Sequence, residues 1–306
     1  MSVIGIDTSN YTTSIAFFNG TSGENCSKLL PVKQGELGLR QSDAVFAHIK
    51  SLPELSGRLF SHVREPITAV GVSTRPRAVD GSYMPCFMVG YSHAKMLSDM
   101  LGVPLIEVSH QQGHVAASLW SADHMELMNE PHLAWHLSGG TTELLLVEPD
   151  GKNVKCTKIG GTTDISAGQL IDRTGQLLDL PFPSGKHLDA LSQTAQNKDT
   201  FKVKCPGMEF SLSGVQNKVQ QYHEKNQDPA ETAAFALRCV AGAVCQATKN
   251  AMKEYPGLRV VFSGGVASNS MLRDVIAPLD PIFSPPQYST DNAMGVAVLT
   301  HRAMEE

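Results

Sequence analysis

Two stretches of the chain share one pattern of apolar and small polar positions. Residues 3–18 (VIGIDTSNYTTSIAFF) and 133–147 (LAWHLSGGTTELLLV) each run as an apolar strand, a turn of small polar residues containing Thr-Thr, and a second apolar strand. Small hydroxyl and glycine residues permit such tight turns and leave backbone N–H groups facing an anion. Two hairpins of one design, each opening a half of the chain, predict a duplicated α/β lobe. Two ordinary, unrelated hairpins would show the same pattern, and the sequence leaves both readings open.

The segments between alternate strand and helix signals. Residues 67–73 (ITAVGVS) predict a strand, and 86–101 carry apolar residues at helical spacing up to Gly102. Residues 105–108 predict a short strand, with Ser109 as N-cap of the helix that follows. Further on, 165–180 predicts a helix stopping at Pro181, and 228–255 a long helix opened by Asp228-Pro229 and closed before Pro256-Gly257. Residues 260–262 read as a strand entering Ser263-Gly264-Gly265, and 290–306 as a terminal helix with Asp291 in its first turn. Strands alternating with helices predict an α/β protein with parallel sheets. The polar, Met-bearing stretch 121–131 is the expected passage between lobes.

Composition narrows the class. A length of 306 residues suggests two domains, and 42% hydrophobic with 18% charged residues is enough to build cores. The net charge of −5 argues against gripping nucleic acid with the whole surface, while leaving room for a local basic groove or a basic partner. Six cysteines at 26, 86, 156, 205, 239 and 245 include no CxxC pair, so neither a zinc ribbon nor a thioredoxin-type motif is present. They read as reduced thiols of a cytosolic protein. The first residues, MSVIGIDTSNYTT, lack a basic segment and carry Asp7, unlike a signal peptide. No uncharged apolar run approaches the ~20 residues of a membrane span. A soluble cytoplasmic enzyme is the expectation.

Candidate chemistry gathers at a few places. His110-Gln111-Gln112-Gly113-His114 puts two imidazoles on one helical face, a geometry suited to a shared metal ion. The spacing alone is weak evidence, since His132 and His136 repeat it in a predicted strand, and two imidazoles need a third ligand. Asp291 is the candidate if the fold brings it close. Ser138-Gly139-Gly140, Gly160-Gly161 and Ser263-Gly264-Gly265 follow or flank apolar strands, where glycine lets backbone N–H groups approach a phosphate. Each taken singly reads equally as a tight turn; together they favour a nucleotide in a cleft between lobes. Asp172 and Asp189 are carboxylates of the kind that hold ribose hydroxyls or simply face water. Asn269 is either a helix cap or a ligand to base or sugar. No GxSxG elbow or Cys/His protease signature appears.

Taken in order, GIDTS (5–9), HQQGH (110–114), LSGGTTELLLV (137–147), SAGQLIDRTGQLLDLPFPSGKHLDAL (166–191), FSLSGVQNKV (210–219), FSGGVASNSMLR (262–273) and YSTDNAMGVAV (288–298) span nearly the whole chain. This series resembles the tRNA threonylcarbamoyladenosine transferases, once called O-sialoglycoprotein endopeptidases. The resemblance implies a two-lobed actin/sugar-kinase/Hsp70 fold with a duplicated ribonuclease-H-like lobe. Residues 1–130 would form the N-terminal lobe and 131–291 the C-terminal lobe, with a helix at 292–306 packing back on the first and the active site in the cleft. It implies transfer of a threonylcarbamoyl group from threonylcarbamoyl-AMP to N6 of the adenosine next to the anticodon. His110, His114 and Asp291 match the family's ligands for one divalent metal, iron or zinc. Leu137, Ser138, Gly139, Gly140, Asp172, Gly185, Asp189 and Asn269 match its adenine-nucleotide positions. The implied partners are tRNA held with the help of other subunits, a paralogue of the same fold and an ATPase; no membrane is implied.

The chain also departs from the family pattern. Asn10-Tyr11-Thr12-Thr13 stands where the family has Cys-Asp-Glu-Thr, and Thr141 replaces the histidine of SGGHT. Arg75-Pro76-Arg77 replaces Gly-Pro-Gly, and Gln216 replaces a lysine. These departures keep a second reading open: a paralogue that holds metal and adenine nucleotide but serves another acceptor, or an assembly or regulatory role. The HxxxH pair lacks the glutamate of HExxH, so a protease is disfavoured.

Overall fold

The structure, a computed structural model, describes residues 1–9, 11–31, 39–288 and 293–305. In the first half, strands β1 (Ser2–Asp7), β2 (Thr12–Phe18), β3 (Gly23–Leu29), β4 (Ile67–Arg75) and β5 (Leu105–Ser109) alternate with helices α1 (Gln41–Phe60), α2 (Phe87–Leu101) and α3 (His110–Ser121). The second half holds β6 (His132–Leu137), β7 (Thr142–Asp150), β8 (Asn153–Thr162), α4 (Ala167–Leu177), α5 (Gly185–Ser192), β9 (Glu209–Phe210), α6 (Ser213–Asn226), α7 (Pro229–Glu254), β10 (Val260–Ser263), α8 (Ser270–Ile276), β11 (Ile282–Phe283) and α9 (Met294–Ala303).

The two sheets decide between the readings of the repeated hairpin. One has the order β3-β2-β1-β4-β5, the other β11-β10-β6-β7-β8-β9. Counted outward from each hairpin, β3-β2-β1-β4-β5 and β8-β7-β6-β10-β11 are the same arrangement, with β9 added at one edge. In both, the hairpin is antiparallel (Val3 opposite Phe18, His132 opposite Val147) and its first strand pairs in parallel with a later one. β1 and β6 are buried along their whole length, as central strands covered on both faces must be.

The chain divides into two compact units: Met1–Glu130 with Glu148–Cys156 and Asp291–Glu306, and Pro131–Val147 with Thr157–Thr290. Residues 148–156 fall with the first unit rather than with the second half around them. The cause is local: the carbonyl of Val154 accepts from Gln112 Nε2 at 2.7 Å, and that of Lys152 from Arg302 Nε at 2.9 Å.

In the first unit, one face of the sheet packs Ile4, Ile6, Ile15, Val70 and Val72 against Leu52, Leu55 and Leu59 of α1 and Val89 and Ala94 of α2. Burial of each such side chain contributes roughly 1.5–3 kcal/mol. The other face receives α9, described from Met294, the expected start at 290 lying outside the described residues. Close approach is what selects Gly295, because a Cβ there would run into the backbone of Gly113 and Ala117 on α3. In the second unit, Trp135 is fully buried, stacks on Phe262 and donates from Nε1 to Thr248 Oγ1 of α7 at 2.9 Å. Helix starts follow side-chain caps. Ser109 and Ser166 close capping boxes with Gln112 and Gln169, and Asp228 accepts from the N–H groups of Ala230 and Glu231 ahead of α7. α4 ends at Leu177, earlier than Pro181. No described helix is long and apolar enough to cross a membrane, and all six cysteines are free.

Candidate functional site

The first cluster is built at the end of β1. Asp7 is the strand's last residue and is almost wholly buried. Its Oδ1 accepts from the N–H of Ser9 at 2.8 Å, and its Oδ2 lies 2.8 Å from His110 Nδ1. β5 delivers His110 through the Ser109 cap, as the first residue of α3, and His114 follows one turn later. The two rings meet edge to face, with their Nε2 atoms 2.9 Å apart. The Asp7 carboxylate accepts from His110 Nδ1–H, which turns Nε2 toward His114. That is the carboxylate–histidine arrangement which orients imidazole ligands of metals. Two converging imidazole nitrogens with one backing carboxylate suit a divalent cation of the iron or zinc type. Among the described residues no group of three His, Cys, Asp or Glu gathers for a metal. Asp291, the expected third ligand, lies outside the described residues. His132 and His136 sit on β6, a strand, where four residues advance about 13 Å, too far to share an ion.

The neighbourhood of this cluster is polar and buried. Thr13 Oγ1 lies 2.8 Å from His48 Nδ1 of α1, and Thr8 Oγ1 accepts from Gly90 N at 3.0 Å and donates to Cys86 O at 2.9 Å. Burial pushes His48 down to about 4, against a smaller upward pull from Asp7 and the Ser9 backbone, so its ring is neutral near pH 7. Burial likewise pushes the Cys86 thiol up to about 11.

The second cluster lies at the ends of β6 and β10. After Leu137 the chain turns through Ser138, Gly139 and Gly140, closed by Ser138 N–H to Thr141 O at 2.8 Å and Thr141 N–H to Ser138 Oγ at 3.1 Å. Both glycines are exposed. The turn is clasped by the start of α4: Ser166 Oγ donates to Gly139 O at 2.6 Å, and Thr142 Oγ1 accepts from Ala167 N at 2.8 Å. A Cβ at Gly168 would enter the backbone of Ser138 and Gly139, so only glycine allows this approach. Gly264, at φ 91°, lies against the Leu137 backbone in the same way.

The other predicted nucleotide residues form a chain of contacts through three helices. Asp172 of α4 accepts from Ser184 N at 2.8 Å, just before Gly185 opens α5. Burial raises the Asp172 carboxyl above its ordinary range, and the Ser184 N–H lowers it by less. Asp189 of α5 accepts from Ser270 N at 3.0 Å and from Ser270 Oγ at 2.7 Å. Asn269 caps α8, its Oδ1 accepting from Leu272 N at 2.9 Å. Gly185 has no heavy atom nearer than 4.0 Å to a Cβ built on it, so packing does not explain its lack of a side chain.

The departures have places as well. Gln216 Oε1 accepts from Arg173 Nη1 at 2.6 Å, where a lysine would bring like charges together. Arg75 ends β4 opposite Ser109, and the Pro76 carbonyl accepts from Gln111 N at 3.0 Å at the start of α3. Asp7, Thr13, His48, Ser184 and Ser270 were not singled out by sequence reasoning. Asp7 stands in the GIDTS motif, but no spacing rule joins it to a histidine 103 positions away.

The sequence profile of the family described as TsaD, tRNA N6-adenosine threonylcarbamoyltransferase, matches residues 40–298. The chain belongs to this family of transferases. A relative from Carboxydothermus hydrogenoformans bearing that name is 35% identical over 247 residues, 76% of this chain and 70% of its own length. Another of the same name, from Thermosipho africanus, is 29% identical and covers 99% of this chain and 94% of its own. Among solved structures, the fold is shared with component A of the (R)-2-hydroxyglutaryl-CoA dehydratase of Acidaminococcus fermentans. The TM-score is 0.59 at 15% identity, over 99% of this chain and 98% of the other. It is shared too with a Streptomyces griseus ROK-family glucokinase solved with glucose and AMPPNP, at a TM-score of 0.56 and 10% identity over 99% and 100% of the two chains. These likenesses show the actin/sugar-kinase/Hsp70 fold.

Proposed function

We propose that this chain transfers the threonylcarbamoyl group from threonylcarbamoyl-AMP to N6 of the adenosine next to the anticodon of tRNA. The observation that carries this reading is the pair of Nε2 atoms of His110 and His114, 2.9 Å apart and backed by the Asp7 carboxylate, in a member of the transferase family. In this reading His110, His114 and Asp291 hold one divalent metal, iron or zinc. When bound, the metal supplies Lewis acidity toward the carbamoyl donor.

The remaining work is done by the chain's own groups. Asp7 keeps the His110 proton on Nδ1 and so keeps Nε2 available. In the turn Leu137, Ser138, Gly139 and Gly140, the two exposed glycines offer backbone N–H groups to the adenylate phosphate, the Ser138 N–H being held by the Thr141 carbonyl. Asp172 and Asp189 face its ribose, Gly185 leaves room for the nucleoside, and Asn269 contributes its amide beside them. The N6 lone pair forms the new C–N bond, the C–O bond to AMP breaks, and AMP leaves carrying the electron pair. The proton lost from N6 passes to solvent. The scheme requires no protein nucleophile.

With a net charge of −5, the chain holds tRNA with the help of partner subunits in the cytoplasm, a paralogue of the same fold and an ATPase being the classes expected. A second reading rests on Arg75, Arg77, Thr141 and Gln216: metal and adenine nucleotide are retained, and the acceptor or role differs. One assay separates the two. Purified chain, its partners, threonylcarbamoyl-AMP and an adenosine-bearing tRNA are combined, and the modified nucleoside is measured by mass spectrometry. Product sensitive to His110→Ala supports transfer. No product, where a family member of unbroken motifs is active under the same conditions, leaves only the second reading.

A further inference from the structure

His48 stands outside every motif, yet it is completely buried on the inner face of α1 and touches both ends of the β1–β2 turn. Its Nδ1 is 2.8 Å from Thr13 Oγ1 in β2, and the Ser9 backbone, on the β1 side, lies beside the ring. Its Nε2 is buried without a hydrogen-bond partner, and so is Ser9 Oγ. An apolar side chain in the same space would leave the buried Thr13 hydroxyl without its ring nitrogen. Packing alone therefore does not account for an imidazole here.

A function for it follows from what the turn carries. The Ser9 N–H donates to Asp7 Oδ1, and the other oxygen of that carboxylate holds His110 Nδ1. The Ser9 carbonyl accepts from Thr12 N at 3.4 Å, the long closing bond of the turn. The place of Ser9 therefore sets the place of its N–H on the carboxylate. Thr13, His48, Ser9, Asp7, His110 and His114 thus form a continuous row, buried except at the half-buried His110, from α1 on one face of the sheet to α3 on the other.

We propose that His48 is a positioning residue for the Asp7–His110–His114 cluster: it braces the β1–β2 turn and so fixes the Ser9 N–H that holds Asp7 against His110. Being neutral near pH 7, the ring does this without competing with His110 for the Asp7 charge. The inference deepens the metal reading of the cluster and rests on it for one of its two readouts.

The test uses the full chain with His48→Phe, His48→Gln and Thr13→Val. The first readout is the ring-nitrogen NMR shifts of His110 in metal-free protein, which report how firmly Nδ1 keeps its proton. The second is Co(II) affinity, followed by visible absorption. His48→Phe should mix the His110 tautomers and weaken Co(II) binding about tenfold, the lower end of what loss of a supporting contact does to a metal site. His48→Gln, whose amide reaches the same region, should recover part of both. A folded His48→Phe chain with wild-type His110 shifts and wild-type affinity overturns the proposal. If His48→Phe does not fold, Thr13→Val, which keeps the ring and cuts its anchor, decides by the same criteria. If the wild-type chain binds no Co(II), the metal reading fails, and the His110 shifts still decide the role of His48.

Discussion

The two hairpins that open the two halves share strand order and pairing, yet their turns are built from opposite materials. The first turn works through side chains: Asp7 and Thr13 are buried and reach histidines on two different helices. The second is mostly backbone: Ser138 closes on Thr141 through its N–H and Oγ, and Gly139 is clasped by the Ser166 cap and by Gly168 of α4. One topology thus presents an imidazole–carboxylate cluster in one place and an exposed glycine turn in the other. Duplication supplies the frame, and the identity of four or five turn residues sets the chemistry.

Substitutions break this contrast at graded points. The largest effect is expected from His114→Ala, which removes one of two converging nitrogens. Bound metal should fall to background in elemental analysis while the far-ultraviolet circular dichroism stays that of the folded chain. Retention of stoichiometric metal would count against the first turn as a metal cluster.

Next is the acid stability that His48 sets beside the first turn. His48 titrates near 6.5 when exposed and near 4 when folded. Between those values the unfolded chain takes up a proton that the folded chain refuses. Stability is therefore whole above pH 6.5 and declines as pH falls toward 4, by on the order of 3 kcal/mol. Urea unfolding at pH 7, 5.5 and 4.5 measures this, and His48→Phe should flatten the decline.

In the second turn, Gly168→Ala places a methyl in the Ser138–Gly139 backbone. It should cost about 1–3 kcal/mol as overpacking and weaken AMP binding, read by calorimetry. Smallest is Asp189→Ala, which frees the Ser270 N–H at the start of α8. A loss of about 1 kcal/mol in urea, with metal content unchanged, would keep that carboxylate's effects within the second unit.

Much of this was legible in the chain because period and punctuation are local properties. Ser109, Asp228 and Gly102 mark helix ends by chemistry that needs no tertiary partner, and all three act as read. The HxxxH pair was legible for the same reason, since one helical turn brings the rings together. Contacts between distant elements were not. Asp7 to His110 joins a strand end to a helix start, His48 to Thr13 a helix to a strand, and Asp189 to Ser270 two helices, across separations that only the assembled fold sets. The assignment of 148–156 to the first unit was also invisible, because it rests on two carbonyls, which every residue has.

The placement of α9 bears on the order in which the protein is made. The sheet of the first unit keeps Gly5 and Gly71 bare for a helix that lies beyond the entire second unit in sequence. A ribosome therefore releases the second unit's strands and helices while the first unit still has one open face. The half made first is completed last, and it must be sheltered until residues 294–303 arrive. A stop codon just before Met294 would thus damage the beginning of the protein more than its end.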